Sequence, residues 1–424
     1  MKGAPPAAHR QGPRPLALHL ASAVTAWTSS LAALPLLSNG SLTWKPELAD
    51  AGRALERSLA SVAPEALVDA VETELRARAD VFLRGLVRYR AHPYRRALAD
   101  PPIIWQEGTT RLLDYGPSGA PPVLVVPSLV NRAYILDLAA DKSLLRFLTG
   151  AGLRPLLVDW SRPGEVERGF GLGDYVAGRL EAAAIAAAGA AGSRLCVVGY
   201  CMGGLLALAL AERRPELVGA LALLATPWDF HAERVDQARL LGRIAEPLAQ
   251  GCAALGEVPV DVLQALFAAL DPLLALRKFS RFATLPEGSA EERDFVALED
   301  WLNDGVPLPL PVMRECLAGW YGENTPGRGR WEIAGRPVVA SRIAVPSLVV
   351  IPAQDRIVPP ASAAALALRL PQAERLALTL GHVGMVVARE APAALWQPLA
   401  RWLLRQAESA MGSQIHRGGL SKGT

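Results

Sequence analysis

The pattern of hydrophobic and polar positions changes character at residue 103. Before it, residues 45 to about 100 (with ADAGRALERSLASVAPEALVDAVETELRARADVFLRGLVRYR at their heart) alternate charged and aliphatic positions at helical spacing, which predicts two helices of an N-terminal helical subdomain. From residue 103 onward, IIWQEG and TRLLDY predict a short hairpin, and PPVLVVP, LRPLLVDW and RLCVVG predict buried strands. Helical stretches, SLLRFLTGAG and GRLEAAAIAAAGA, separate them. Continuous apolar strands alternating with helices predict an α/β fold, a mostly parallel sheet covered on both faces. After VGALALLA at residues 218–225 about a hundred mostly helical residues follow before PSLVVIP resumes the sheet at residue 346. That insertion predicts a helical cap placed before the late strands. The expected divisions are 1–100 for an apolar N-terminal segment and helical subdomain, 101–229 with 341–408 for the sheet core, and 230–340 for the cap. Residues 409–424, polar and glycine-rich, read as a disordered tail.

Composition narrows the setting. The 424 residues are 51% hydrophobic, enough for one large domain with additions. Lys and Arg total 44 against 41 acidic residues, and the net +3 is spread along the chain, which argues against nucleic acid as a partner. The four cysteines, Cys196, Cys201, Cys252 and Cys316, form no CxxC pair and no metal-ligand spacing with histidine, so neither a metal nor a disulfide framework is expected. A reduced cytoplasm fits best. Residues 15–44 hold no Asp, Glu, Lys or Arg and follow Lys2, Arg10 and Arg14. A signal peptide would look similar. Thr25, Ser29, Ser30, Pro35 and Asn39 weaken a membrane span, and an amphipathic helix resting on the protein or on an apolar surface is expected instead.

Candidate chemistry centres on RLCVVGYCMGGLLALAL, residues 194–210. A buried strand turning tightly into a helix lifts the turn residue above the carboxyl edge of a parallel sheet, and GYCMGG matches the GxSxG turn with Cys201 as nucleophile. Side chains at Gly199 or Gly203 would collide with neighbouring backbone in so sharp a bend. The helix N-terminus carries partial positive charge, which favours a thiolate. A small structural cysteine is the bland alternative, and Cys196 illustrates it. The base should follow a late strand. His9, His19 and His416 lie in terminal segments, His92 in the helical N-terminal part and His231 at the entrance to the cap, which leaves His382 in LALTLGHVGMVV. Asp355, just past the strand in VVIPAQDRIVPP, stands 27 residues upstream, room for a loop, a helix and a strand. Singly, Asp355 could cap a helix and His382 could be a satisfied loop residue. In the order Cys201, Asp355, His382, each at a strand end, they predict an α/β-hydrolase fold.

At these residues the chain resembles the polyhydroxyalkanoate (poly-3-hydroxybutyrate) synthases. VPSLVNRAYILDL, SLLRFLTGAG, LLVDWSRPGE, GLGDYV, GYCMGG, TPWDF, DRIVPP and GHVGMVV are similar to that family's blocks, in its order, over about residues 120–230 and 345–390. Short loops and the PP after the aspartate motif resemble the smaller, two-subunit type. The resemblance implies a cysteine acyltransferase that joins 3-hydroxyacyl groups from coenzyme A thioesters into polyester, with no cofactor beyond that substrate. It also implies a cytoplasmic enzyme at a polyester granule or membrane surface, with a second synthase subunit or a second copy of itself as partner. Two departures stand out: Arg356 where the family commonly has His, and a cap block of its own, DWLNDGVPLPLPVMRECLAGWYGENTPGRG.

In this reading His382 deprotonates Cys201, and the oxyanion is held by the N–H of Met202 and one near Val130. Asp355 has two possible jobs. In a hydrolase it orients the imidazole; in the synthases the resemblance implies that it promotes attack by the 3-hydroxyl of the acceptor. Two rivals stay open: a cysteine hydrolase, either a thioesterase or an intracellular depolymerase, and a non-catalytic granule-associated relative using the apolar N-terminus and Trp301, Trp320 and Trp331 as contact surface.

Overall fold

The protein is described here by a computed structural model covering residues 10–418. The described residues form two compact units, one of residues 10–95 with 264–303 and the other of residues 96–263 with 304–418. This differs from the expected divisions. The insertion is split, its middle part joining the N-terminal helices, because apolar residues of both segments share one core: Phe82, Leu86 and Tyr89 with Ala275, Phe279, Phe282 and Val296.

In the first unit, α1 (Leu16–Ser38), α2 (Ala49–Leu59) and α3 (Pro64–Ala91) realise the helices expected there. Gly85 of α3 lies so close to the helix Leu274–Phe282 that a Cβ would fall 2.0 Å from the Phe279 carbonyl oxygen. Arg88 donates to the carbonyls of Phe282 and Leu285 (3.2 and 2.7 Å) and pairs with Glu292, which satisfies groups left orphaned at that helix's C-terminus. Helix α1 is not amphipathic, since a segment without charge has no polar face to present. The hydroxyls of Thr28, Ser29, Ser30 and Ser38 turn back onto carbonyls of their own helix at 2.9–3.1 Å. Ala23 and Leu34 are buried while Leu18, Val24 and Leu36 are exposed, and Pro35 sits within the last turn without ending the helix. By length and composition α1 could cross a membrane.

The second unit is built on an eight-stranded sheet: β1 (Ile103–Glu107), β2 (Thr110–Asp114), β3 (Pro122–Val126), β4 (Arg154–Asp159), β5 (Leu195–Tyr200), β6 (Val218–Leu224), β7 (Ser347–Pro352) and β8 (Ala373–Leu378). The spatial order is β1-β2-β4-β3-β5-β6-β7-β8. The β1/β2 hairpin is antiparallel and joins β4 antiparallel, whereas all other neighbours are parallel. Every residue of β3 and β5 is buried, as strands covered on both faces must be. Helices α4 (Leu144–Gly150), α5 (Glu181–Ala191) and α6 (Met202–Arg213) connect them. Ten consecutive residues of α6, Met202 to Ala211, are buried, which explains a sequence apolar on all sides. The last helix runs Gln397–Gly418, so the expected tail is helical as far as Gly418; the remainder of it lies outside the described residues.

Cys196 on β5 is 8% exposed, and burial pushes its thiol up to about 12. A thiol so held stays neutral and acts as a small hydrophobe. Cys196→Ala should cost about 1 kcal/mol of stability and leave turnover unchanged, as a denaturation midpoint and a coenzyme A release assay would show.

Candidate active site

The register of the central strands fixes where the candidate residues emerge. Val126 pairs with Gly199, Tyr200 with Leu224, Leu224 with Val350, and Pro352 with Leu378, so β3, β5, β6, β7 and β8 end side by side. Cys201, Asp355 and His382 follow β5, β7 and β8 within a few residues, at the edge where ligands of open parallel sheets bind.

Cys201 occupies the N-cap of α6 with φ +56° and ψ −127°, a left-handed conformation unusual for a residue bearing Cβ. Such a conformation costs about 1–3 kcal/mol and survives where the surroundings over-determine it. Here they do. The Cys201 N–H donates to the Leu224 carbonyl (2.8 Å), and a Cβ on Gly199 would lie 2.4 Å from the Gly204 Cα. On Gly203 a Cβ would meet the Val126 carbonyl oxygen at 2.1 Å, so α6 could not approach β3. Cys201 itself is half-buried, unlike the three buried cysteines.

His382 and Asp355 are brought together. His382 Nδ1 lies 2.6 Å from Asp355 Oδ2, and both residues are buried. The other carboxylate oxygen, Oδ1, accepts from the N–H groups of Ile357 (2.8 Å) and Val358 (2.9 Å). Both oxygens of Asp355 are therefore engaged, one holding its own loop and one holding the imidazole. The imidazole in turn reaches Cys201. Burial alone would lower the His382 pKa, but attraction to Cys201, hydrogen bonds to Asp355 and Cys201, and the Asp355 charge outweigh it and raise the value to about 10. With Nδ1 on the carboxylate, Nε2 is left for the thiol. Arg356 is exposed, and the inward-turned Asp355 keeps its partners despite that departure.

The two expected oxyanion donors fare differently. Met202 is the first residue of α6, so its N–H has no acceptor within the helix and lies beside the thiol. The Val130 N–H, in contrast, donates to Ser128 Oγ (3.0 Å). A serine two residues back takes its own chain's N–H in this way, so an oxyanion at Val130 would have to displace the Ser128 hydroxyl.

From the cap come residues that the sequence reading passed over. His231 lies at the cap entrance as expected, with Nε2 2.8 Å from the Tyr321 carbonyl oxygen. The Tyr321 ring packs edge-on against Phe230 at 4.9 Å. Burial, with smaller contributions from Cys201 and Cys316, raises the Tyr321 hydroxyl, so it stays protonated. Trp301, Trp320 and Trp331 are all buried, so they are core residues and not the contact surface that a non-catalytic reading needed. The signal for Tyr321 was present only as an aromatic in a helical run, which ordinarily means core.

A cysteine on a strained strand-to-helix turn, with a histidine–aspartate pair after later strands, is the arrangement of strand ends found in the α/β-hydrolase fold. Residues 191–243 match the alpha/beta hydrolase fold family, and residues 95–148 match the poly-beta-hydroxybutyrate polymerase (PhaC) N-terminus. A poly(3-hydroxyalkanoate) polymerase subunit PhaC of Synechocystis sp. is 30% identical over 66% of this chain and 77% of its own length. The subunit of the same name from Haloferax mediterranei is 26% identical over 72% of this chain, which spans 64% of that relative's length. That from Allochromatium vinosum is 27% identical over 68% of this chain and 83% of its own. The chain belongs to the poly(3-hydroxyalkanoate) polymerase PhaC family.

Proposed function

We propose that the protein transfers 3-hydroxyacyl groups from coenzyme A thioesters to Cys201 and from there to the 3-hydroxyl of an acceptor, building polyester. The observation that carries this is the placement of His382, held on one side by Asp355 and reaching Cys201 on the other. The Cys201 sulfur attacks the thioester carbonyl with the proton of the Cys201–His382 pair held on His382 Nε2. Charge on the carbonyl oxygen is met by the Met202 N–H at the positive end of α6. The coenzyme A sulfur leaves and takes the proton, and the acyl group remains as a thioester on Cys201. Exchange of one thioester for another is nearly balanced in energy, so the acyl group stays activated. The acceptor 3-hydroxyl then gives its proton to His382 and attacks, forming the ester and releasing Cys201. In both halves Asp355 keeps the ring in place.

The same geometry serves a hydrolase if water replaces the hydroxyl acceptor. The names of the relatives support transfer, and their designation as subunits supports a second polypeptide, or a second copy, as partner. Incubation with 3-hydroxybutyryl-coenzyme A, measuring free coenzyme A and polymer mass together, tests the reading. Polymer is expected; release of free 3-hydroxy acid alone would contradict it.

A cytoplasmic setting follows from an acyl-coenzyme A substrate, and α1 supplies a means of resting on an apolar surface. Deleting α1 would also strip the core that Leu16, Leu20, Ala23 and Trp27 help to cover. Lysine at the exposed Leu18, Val24 and Leu36 is the cleaner change. The triple variant should turn over soluble thioester within about two-fold of the parent while far less of it sediments with polyester granules, because each ammonium must stay hydrated. Unchanged sedimentation would remove α1 from this role.

A further inference from the structure

We infer that Tyr200, the last residue of β5, is the positioning residue that fixes His382 against Cys201; this rests on the proposed role of Cys201. The GxCxG turn leaves the residue before the cysteine open, so the motif itself asks nothing of Tyr200. Its surroundings do. Tyr200 is 5% exposed, its hydroxyl donates to the main-chain carbonyl of His382 (3.2 Å), and its ring stacks on the imidazole with centroids 5.3 Å apart and planes 28° from parallel. Burial, followed by the neighbouring Cys201 and Asp355, raises the hydroxyl well above its usual value, so it remains a donor.

His382 lies in a loop four residues past β8, and its ring is held only along its edge, by Asp355 at Nδ1 and by Cys201 opposite. Hydrogen bonds at two edge atoms leave the ring plane free to tilt about the line between them. Tyr200 removes that freedom twice, by holding the main chain of the loop and by covering one face of the imidazole. Strand and nucleophile are thereby coupled, since the residue that positions the base is bonded directly to the cysteine it serves. Displacements near 1 Å in such a pair can cost about 10²-fold in rate.

Two variants separate the contributions. Tyr200→Phe keeps the ring and loses the hydrogen bond; Tyr200→Leu loses both. In single-turnover experiments with 3-hydroxybutyryl-coenzyme A, the coenzyme A burst should slow about 3–10-fold for Phe and about 10²-fold for Leu, with KM little changed. Alkylation of Cys201 by iodoacetamide should slow in the same order, independently of any substrate. Because Tyr200 and Asp355 act on one ring, Tyr200→Leu should cost under about three-fold when added to Asp355→Asn, whereas unrelated structural damage would multiply. A Leu variant that acylates within two-fold of the parent, or a penalty that multiplies fully in the Asp355→Asn background, overturns the inference. Should the Leu variant not fold, an unslowed burst in Tyr200→Phe overturns it equally. Cys201→Ala run alongside keeps the two claims apart: normal acylation there would sink the role of Cys201 itself, while a dead Cys201→Ala beside an unaffected Tyr200→Leu would sink only the role of Tyr200.

Discussion

Cys201→Ala should abolish coenzyme A release, lowering it by about 10⁴-fold or more, while the protein remains folded. Alanine carries the same Cβ as cysteine and adds no strain at φ +56°. The half-buried sulfur leaves little void behind. Loss of activity with an unchanged circular dichroism spectrum is therefore expected, in contrast to Cys196→Ala. The histidine should register the same change. In the parent, His382 is raised above its ordinary value, so its share of stability is complete below about 6.5 and is lost as pH rises through about 10. Without Cys201, burial is opposed by Asp355 alone, and the imidazole proton titration followed by NMR should move to lower pH. An unmoved titration would mean that His382 does not face the thiol.

Asp355→Asn should slow acylation of Cys201 and onward transfer together, by about 10²–10⁴-fold. The carboxylate has no oxygen to spare: Oδ1 holds two backbone N–H groups and Oδ2 holds His382 Nδ1. An amide in its place can present NH₂ to the ring, which then needs Nδ1 unprotonated, so the charged imidazole that serves Cys201 is lost. With labelled substrate, neither a fast burst nor stoichiometric acyl-enzyme should appear. A fast burst followed by stalled chain growth would instead assign Asp355 to the acceptor hydroxyl, the role that the family resemblance implies.

The features legible in the sequence were those with short-range or repetitive causes. Strands buried on both faces must be mostly apolar, so β3, β4, β5 and β7 stood out, and the glycines around Cys201 marked a turn that only they permit. The order Cys201, Asp355, His382 followed from strand ends alone. What remained hidden depends on partners distant in sequence or on local competition. Nothing in the helical pattern of residues 264–303 names Phe82 or Tyr89 as its neighbours. The Ser128 hydroxyl takes the Val130 N–H through a side-chain rotamer that no spacing rule reveals. Helix α1 has the length expected but not the two-faced character, because Ser and Thr satisfy themselves on their own backbone instead of forming a wet side. Tyr200 and Tyr321 read as ordinary core aromatics until their contacts are seen.

The central claim, acyl transfer through a cysteine thioester, is tested most directly by trapping the intermediate. Quenching the protein in acid within its first turnovers on labelled 3-hydroxybutyryl-coenzyme A, then mapping the label by peptide mass, should place a 3-hydroxybutyryl group on the peptide containing Cys201. Longer incubation should extend that adduct by whole repeat units. Label on another residue, or a Cys201 adduct that never grows while free 3-hydroxybutyrate accumulates, would contradict the account.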